Sequence, residues 1–141
     1  ELDAIVALKE AGGNLDQVSR LTTLTRKITV LSGDDSLTLP ILALGGRGVI
    51  STTSNVDPVR VSTLCSAWHR GAIDEARLAH QELFPLIKAM FIETNPMPVK
   101  AALSLMGLIE NELRLPLTTV RMESMPIIER ALRNAGLMEN L

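Results

Sequence analysis

Three short apolar runs punctuate the start of the chain, at residues 4–8, 28–31 and 48–51. Each is closed by glycine or small polar residues: Gly12-Gly13-Asn14, Ser32-Gly33-Asp34-Asp35 and Thr52-Thr53-Ser54-Asn55. The first run, Ala4-Ile5-Val6-Ala7-Leu8, does not alternate with polar residues. A strand apolar on both faces belongs in a parallel sheet covered on each side. Between the runs lie two helical segments. Leu15, Val18 and Leu21 form one stripe behind Asn14 as N-cap. Residues 37–44 form a shorter helix stopped by Gly45 and Gly46. Strand, helix, strand, helix, strand is the rhythm of parallel βαβ units, so the expected class is α/β. Three such strands alone close no barrel and leave unpaired edges. The first run also starts within a few residues of Glu1, with no initiating Met. Both features lead to the expectation that the sequence is a piece of a longer chain.

From residue 57 onward the pattern is helical. Asp57-Pro58 places an N-cap before a proline at the first helical position, and Gly71 ends that helix. Asp74 is expected to cap the next one, whose stripe holds Ala76, Ala79, Leu83, Ile87, Met90 and Phe91, with Pro85 as an expected kink. Asn95-Pro96 restarts a helix carrying Val99, Leu103 and Met106. Leu115-Pro116-Leu117 reads as an extended linker, and residues 126–135 as a last helix stopped by Gly136. The expected division is therefore a strand-and-helix part over residues 1–56 and a helical part over 57–141.

Composition narrows the chemistry. A net charge of −2 without a basic stripe speaks against nucleic acid. Cys65 is the only cysteine, so no internal disulfide forms, and no His/Cys spacing matches a metal site. No segment has the length of a membrane span and no signal peptide is evident. These features fit a soluble cytoplasmic protein.

Catalytic groups of parallel α/β barrels sit at the C-terminal ends of strands. Lys9, directly after Val6-Ala7-Leu8, would emerge from the sheet. Burial there would favour the neutral amine, which can attack a ketone and form an iminium. On position alone, a solvated lysine at a strand end is the simpler reading. Asp34 and Asp35 read more simply as caps of the following helix. Gly45-Gly46-Arg47-Gly48 precedes a strand, the wrong geometry for a phosphate cradle. His69 and His80 lie on helices as surface or packing residues. Cys65 and the six methionines read as core filler.

Five motifs in series then resemble one family. They are Lys9-Glu10-Ala11-x-Gly13-Asn14, Leu31-Ser32-Gly33-Asp34-Asp35, and Gly45-Gly46-x-Gly48-Val49-Ile50-Ser51-x-Thr53-x-Asn55. Glu93-Thr94-Asn95-Pro96-x-Pro98-Val99-Lys100 and Leu113-Arg114-Leu115-Pro116-Leu117-Thr118 complete the set. In order and spacing they resemble the dihydrodipicolinate synthase family, within the N-acetylneuraminate lyase superfamily, across nearly all of the chain. The resemblance implies the C-terminal portion, strands six to eight, of a TIM (β/α)₈ barrel followed by an all-helical domain. It implies condensation of pyruvate with L-aspartate 4-semialdehyde on the route to diaminopimelate and lysine. Lys9 would be the Schiff-base lysine, Ile50 would line the pyruvate site through its backbone, and the Gly33 carbonyl would lie close by. No metal or cofactor is implied beyond the covalent pyruvate imine. The family is commonly a homotetramer, a dimer of tight dimers.

Two departures stand out. The position after Ala11 is usually Ser or Thr in the family and here is Gly12. The family's catalytic tyrosine and its threonine partner, the loop for the pyruvate carboxylate and the arginine for the second substrate come from the first five strands. This chain has no Tyr. The isolated 141-residue chain is therefore expected to be inactive without an N-terminal half of the same protein. A sibling aldolase, such as N-acetylneuraminate lyase or a keto-deoxy-sugar aldolase, and a non-catalytic half-barrel scaffold are the alternatives.

Overall fold

The computed structural model describes residues 3–24 and 27–139. The elements run β1 (Ala7–Glu10), α1 (Leu15–Leu24), β2 (Thr29–Ser32), a 3₁₀ turn (Asp35–Leu37) leading into α2 (Thr38–Ala43), and β3 (Gly48–Val49). A second 3₁₀ turn (Thr53–Asn55) precedes α3 (Pro58–His69), α4 (Ile73–Met90), α5 (Met97–Leu105) and α6 (Met125–Asn134). They group into two compact units, Glu1–Ser51 with Ser62–His80, and Thr52–Val61 with Gln81–Leu141.

The first unit holds a three-stranded parallel sheet in the order β1-β2-β3. Register is set by Lys9 opposite Leu31 and Glu10 opposite Ser32, then Leu31 opposite Gly48 and Ser32 opposite Val49. The parallel arrangement follows from the strand-helix alternation, because each crossover returns the chain to the same end of the sheet. Val18 of α1, Val30 of β2 and Ile41 of α2 form the core of this layer, with Leu21, Leu37 and Leu44 packed around it.

Its helix ends obey local rules. Asn14 Oδ1 accepts from the amides of Asp16 (3.0 Å) and Gln17 (3.2 Å), so the expected N-cap of α1 is made. At the end of α2, Gly46 N donates to Ile41 O (2.8 Å) and Gly45 N to Leu42 O (3.1 Å). With Gly45 at φ +97°, this is a Schellman stop. Gly46 is further constrained, since a Cβ there would sit 2.5 Å from Ile41 Cγ2.

The first strand departs from expectation. It occupies residues 7–10 rather than 4–8, and it is not covered on both faces. Ile5, Val6 and Leu8 are exposed, and Glu10 is the only buried residue of β1. The physical reason is position: β1 is an edge of the sheet, and only its last residue reaches the layer under α1. Lys9 therefore lies inside the strand, one residue before its end.

The second unit is helical, with a core that includes Leu86, Met90, Val99, Ala102, Ile128 and Leu132. Asp57 caps α3 as expected: its carboxylate accepts from Arg60 N (3.1 Å) and Arg60 Nη1 (2.6 Å). Arg60 Nη2 in turn donates to Ala135 O (2.8 Å) at the end of α6, satisfying a C-terminal carbonyl. Pro85 lies inside α4 without ending it. Asp74 is not the cap of α4; it lies in the first turn, where it favours the helix dipole and pairs with Arg77 (2.9 Å). Residues 115–117 form a turn rather than an extended linker, with Leu117 N donating to Arg114 O (3.1 Å).

Candidate active site

The sheet ends its three strands side by side at Glu10, Ser32 and Val49. Side chains alternate across a sheet, so residues in register share a face. Lys9, Leu31 and Gly48 lie on one face, and Glu10, Ser32 and Val49 on the other. One step past the strands, Gly33 N donates to Glu10 O (2.5 Å) and Ile50 N to Ser32 O (2.8 Å), which carries the ladder beyond β2 and β3. Lys9, Gly33 and Ile50 thus come from three neighbouring strand ends on one sheet.

Gly33 and Lys9 are directly coupled. A Cβ built on Gly33 would lie 2.9 Å from Lys9 Cε, 2.7 Å from Ala11 Cβ and 3.0 Å from Glu10 O. The lysine stem therefore crosses the space that any other residue at 33 would fill. Sequence reasoning assigned Gly33 only a carbonyl near the site, through the resemblance. Glycine signals close approach, but the sequence does not say by what.

The described residues do not bury Lys9. Lys9 is exposed, and Ile50, two strands away, is 47% exposed. The described residues leave Lys9 and Ile50 on this face open.

Buried polar groups gather on the opposite face and in the loops that follow the strands. Glu10 is 4% exposed; its Oε1 accepts from Gly12 N (2.8 Å) and from Gln17 Nε2 (3.4 Å) on α1. Ser32 is fully buried and donates to Asp34 O (2.6 Å). Asp34 caps the 3₁₀ turn, its Oδ1 accepting from Ser36 N (3.0 Å) and Ser36 Oγ (2.9 Å). Asp35 is not a cap of that kind. It is buried, and its Oδ1 accepts from Ser51 Oγ, linking the loops after β2 and β3.

The remaining candidates are structural. His69 Nε2 bonds the Arg47 carbonyl oxygen (2.9 Å). Burial pushes the His80 imidazole below its ordinary value and the half-buried Cys65 thiol above its own. Among the described residues no three His, Cys, Asp or Glu side chains converge as metal ligands. No helix among them is long and apolar enough to cross a membrane. A cavity of about 480 Å³ lined by Lys88, Phe91, Ile127 and Arg130 lies in the second unit and includes none of Lys9, Gly33 and Ile50. The strand ends, which carry the amine, remain the better candidate.

Two motifs of the second unit acquire physical reasons. Glu93 Oε1 accepts from Arg121 N (2.9 Å), and hydrogen bonds from the Ser124 hydroxyl and that amide hold its carboxyl below the usual carboxylate range. Lys100 Nζ donates to the Glu112 carbonyl oxygen, tying α5 to the segment before Leu113.

Comparison with known proteins agrees with this architecture. Residues 1–135 match the model of the dihydrodipicolinate synthetase family. The chain is 48% identical over 142 aligned positions to the 4-hydroxy-tetrahydrodipicolinate synthase of Thermotoga neapolitana, covering 98% of this chain and 48% of that protein. It is 52% identical to the synthase of Thermodesulfovibrio yellowstonii, covering 96% of this chain and 47% of that one. The crystal structure of the dihydrodipicolinate synthase of Thermotoga maritima superposes with a TM-score of 0.95 at 44% identity, covering 98% and 48% of the two chains. This chain spans about half the length of the relatives it matches. With an α/β fold like theirs and a family match over nearly its whole length, the chain belongs to the dihydrodipicolinate synthetase family.

Proposed function

We propose that the chain is the second half of a 4-hydroxy-tetrahydrodipicolinate synthase, with Lys9 as its Schiff-base lysine. The observation that carries the reading is Lys9, one residue before the end of a parallel strand, with its stem lying across Gly33. In this reading the strands are six to eight of a (β/α)₈ barrel. Residues 1–56 complete that barrel, and residues 57–141 form its last helix and a helical domain. The missing strands would cover the open face of β1 and desolvate the amine.

The chemistry follows from the amine. Neutral Lys9 Nζ adds to the ketone of pyruvate, and loss of water leaves an iminium. The iminium withdraws electrons from the adjacent methyl group, which loses a proton to give an enamine. The enamine carbon attacks the aldehyde of L-aspartate 4-semialdehyde, forming the new carbon–carbon bond. The amino group of that substrate then adds to the imine carbon, closing the ring and expelling Lys9 Nζ. Gly33 leaves room for the lysine stem, and Ile50 lies one residue past β3. No metal or other cofactor enters any step.

The reading extends to a cytoplasmic enzyme assembled as a homotetramer of two dimers, although one similar structure is described as a monomeric dihydrodipicolinate synthase variant. The relatives compared above carry the synthase name rather than that of a sibling aldolase. The test is complementation of a strain requiring diaminopimelate. A full-length enzyme containing this chain should restore growth, and its Lys9→Ala variant should not. The 141-residue chain alone should show no synthase turnover; measurable turnover would overturn the division of the site between two halves.

A further inference from the structure

Resting on the reading of Lys9 as the Schiff-base lysine, we infer that Glu10 is a positioning residue for it. In a strand whose other residues are exposed, Glu10 alone is buried, at 4%. Strand alternation sends its side chain to the face opposite Lys9, toward α1. There Oε1 accepts from Gly12 N (2.8 Å), clipping the turn that follows the strand, and from Gln17 Nε2 (3.4 Å).

The clip acts on Lys9 through the backbone. The side chain of Glu10 holds the 10–12 segment, and the carbonyl of the same residue accepts from Gly33 N (2.5 Å). Gly33 is the residue over which Lys9 Cε lies. One carboxylate thereby fixes the peptide whose oxygen seats Gly33 under the lysine stem. Stability alone is a poor reason for this arrangement. Glu10 Oε2 is buried with no hydrogen-bond partner among the described residues, a costly position for a carboxylate oxygen.

In this chain the glycine at position 12 leaves that carboxylate its present place. A Cβ at residue 12 would lie 2.8 Å from Glu10 Oε1, closer than real Cβ atoms approach. The backbone of Gly12 is not in the left-handed region. Alanine there adds a methyl group without backbone strain, and only the end of a flexible side chain must move. Gly12→Ala is therefore a way to dislodge the Glu10 carboxylate without touching Glu10.

The experiment is a double-mutant cycle in the full-length enzyme containing this chain. Wild type, Glu10→Gln, Glu10→Ala, Gly12→Ala and the Glu10→Ala/Gly12→Ala double variant are compared. The readouts are the rate of pyruvate imine formation, trapped with borohydride and mapped by peptide mass, with kcat, KM and Tm. Glu10→Ala and Gly12→Ala should each slow imine formation on the order of tenfold or more, as expected for a displaced reacting group. The double variant should be no slower than Glu10→Ala, because the methyl group then has nothing to displace. Glu10→Gln should stay within about threefold of wild type, because its amide oxygen still accepts from Gly12 N. KM for the aldehyde should not move. Additive losses, or a lowered Tm with wild-type imine formation, would overturn the inference. Should Glu10→Ala not fold, a wild-type rate in folded Gly12→Ala would do the same. A wild-type adduct on a residue other than Lys9 overturns the parent reading and this inference together, whereas a Lys9 adduct with unaffected variants overturns this inference alone.

Discussion

Replacing Gly33 with alanine tests how tightly the candidate site is built. The added Cβ would lie 2.9 Å from Lys9 Cε, 2.7 Å from Ala11 Cβ and 3.0 Å from Glu10 O. Relaxed carbon–carbon contacts lie near 3.5–4.0 Å, so the lysine stem must retreat by roughly 0.6–1.1 Å. The Ala11 and Glu10 contacts involve a short side chain and backbone, which cannot swing aside as a lysine can. Overpacking of this kind costs about 1–3 kcal/mol of stability. A displacement near 1 Å of a reacting group can cost on the order of a hundredfold in rate. In the full-length enzyme, Gly33→Ala should therefore lower the rate of pyruvate imine formation by about ten- to a hundredfold. Stopped-flow mixing with pyruvate followed by borohydride quench and mass analysis reads that rate, and circular dichroism confirms folding at the assay temperature. A folded Gly33→Ala enzyme forming imine at the wild-type rate would refute the claim that residue 33 sets the lysine path.

Three further outcomes follow from the geometry. Asp57→Ala removes the N-cap of α3 and its partner bond to Arg60 Nη1, and should lower stability by about 1–2 kcal/mol in urea denaturation; an unchanged midpoint would remove the cap from the list of stabilising contacts. Gly46→Ala drives a methyl group against Ile41 Cγ2 and Ile41 O and should cost about 1–3 kcal/mol in the same measurement, with a neutral result showing that the turn after α2 can shift. Glu93 has a folded pKa below its unfolded value, so its contribution is present above the ordinary glutamate range and is lost as pH falls through the depressed value. Glu93→Gln should accordingly flatten the acid limb of the stability profile, and superimposable acid limbs would count against the Glu93–Arg121 link.

Much of the fold was legible in local chemistry. Asn14, Asp57, Gly45 and Gly46 mark helix ends in the sequence and do so in the structure, because capping depends on residues close along the chain. The parallel sheet was legible from the strand-helix rhythm. The bounds of β1 were not, because an apolar run such as Ile5-Val6 reports burial in a complete fold, and the described residues leave it exposed. Asp74 reads as a cap but falls one position inside α4, where a carboxylate serves the dipole equally well. In the site, Lys9 stood out by type and motif, whereas Glu10 did not and Asp35 read only as a helix cap. A lone carboxylate in sequence reads as solvated. Its burial here depends on Gly12, Gln17 and Ser51, partners that only the folded loops bring within reach. Gly33 was visible as a glycine, but the lysine stem it accommodates comes from the neighbouring strand.

The most direct measurement is borohydride trapping of pyruvate on the full-length enzyme containing this chain, read by intact mass and peptide mapping. A single reduced pyruvate adduct on Lys9, absent in Lys9→Ala, is the predicted result. An adduct on another residue, or none from a folded full-length enzyme, would contradict Lys9 as the Schiff-base lysine.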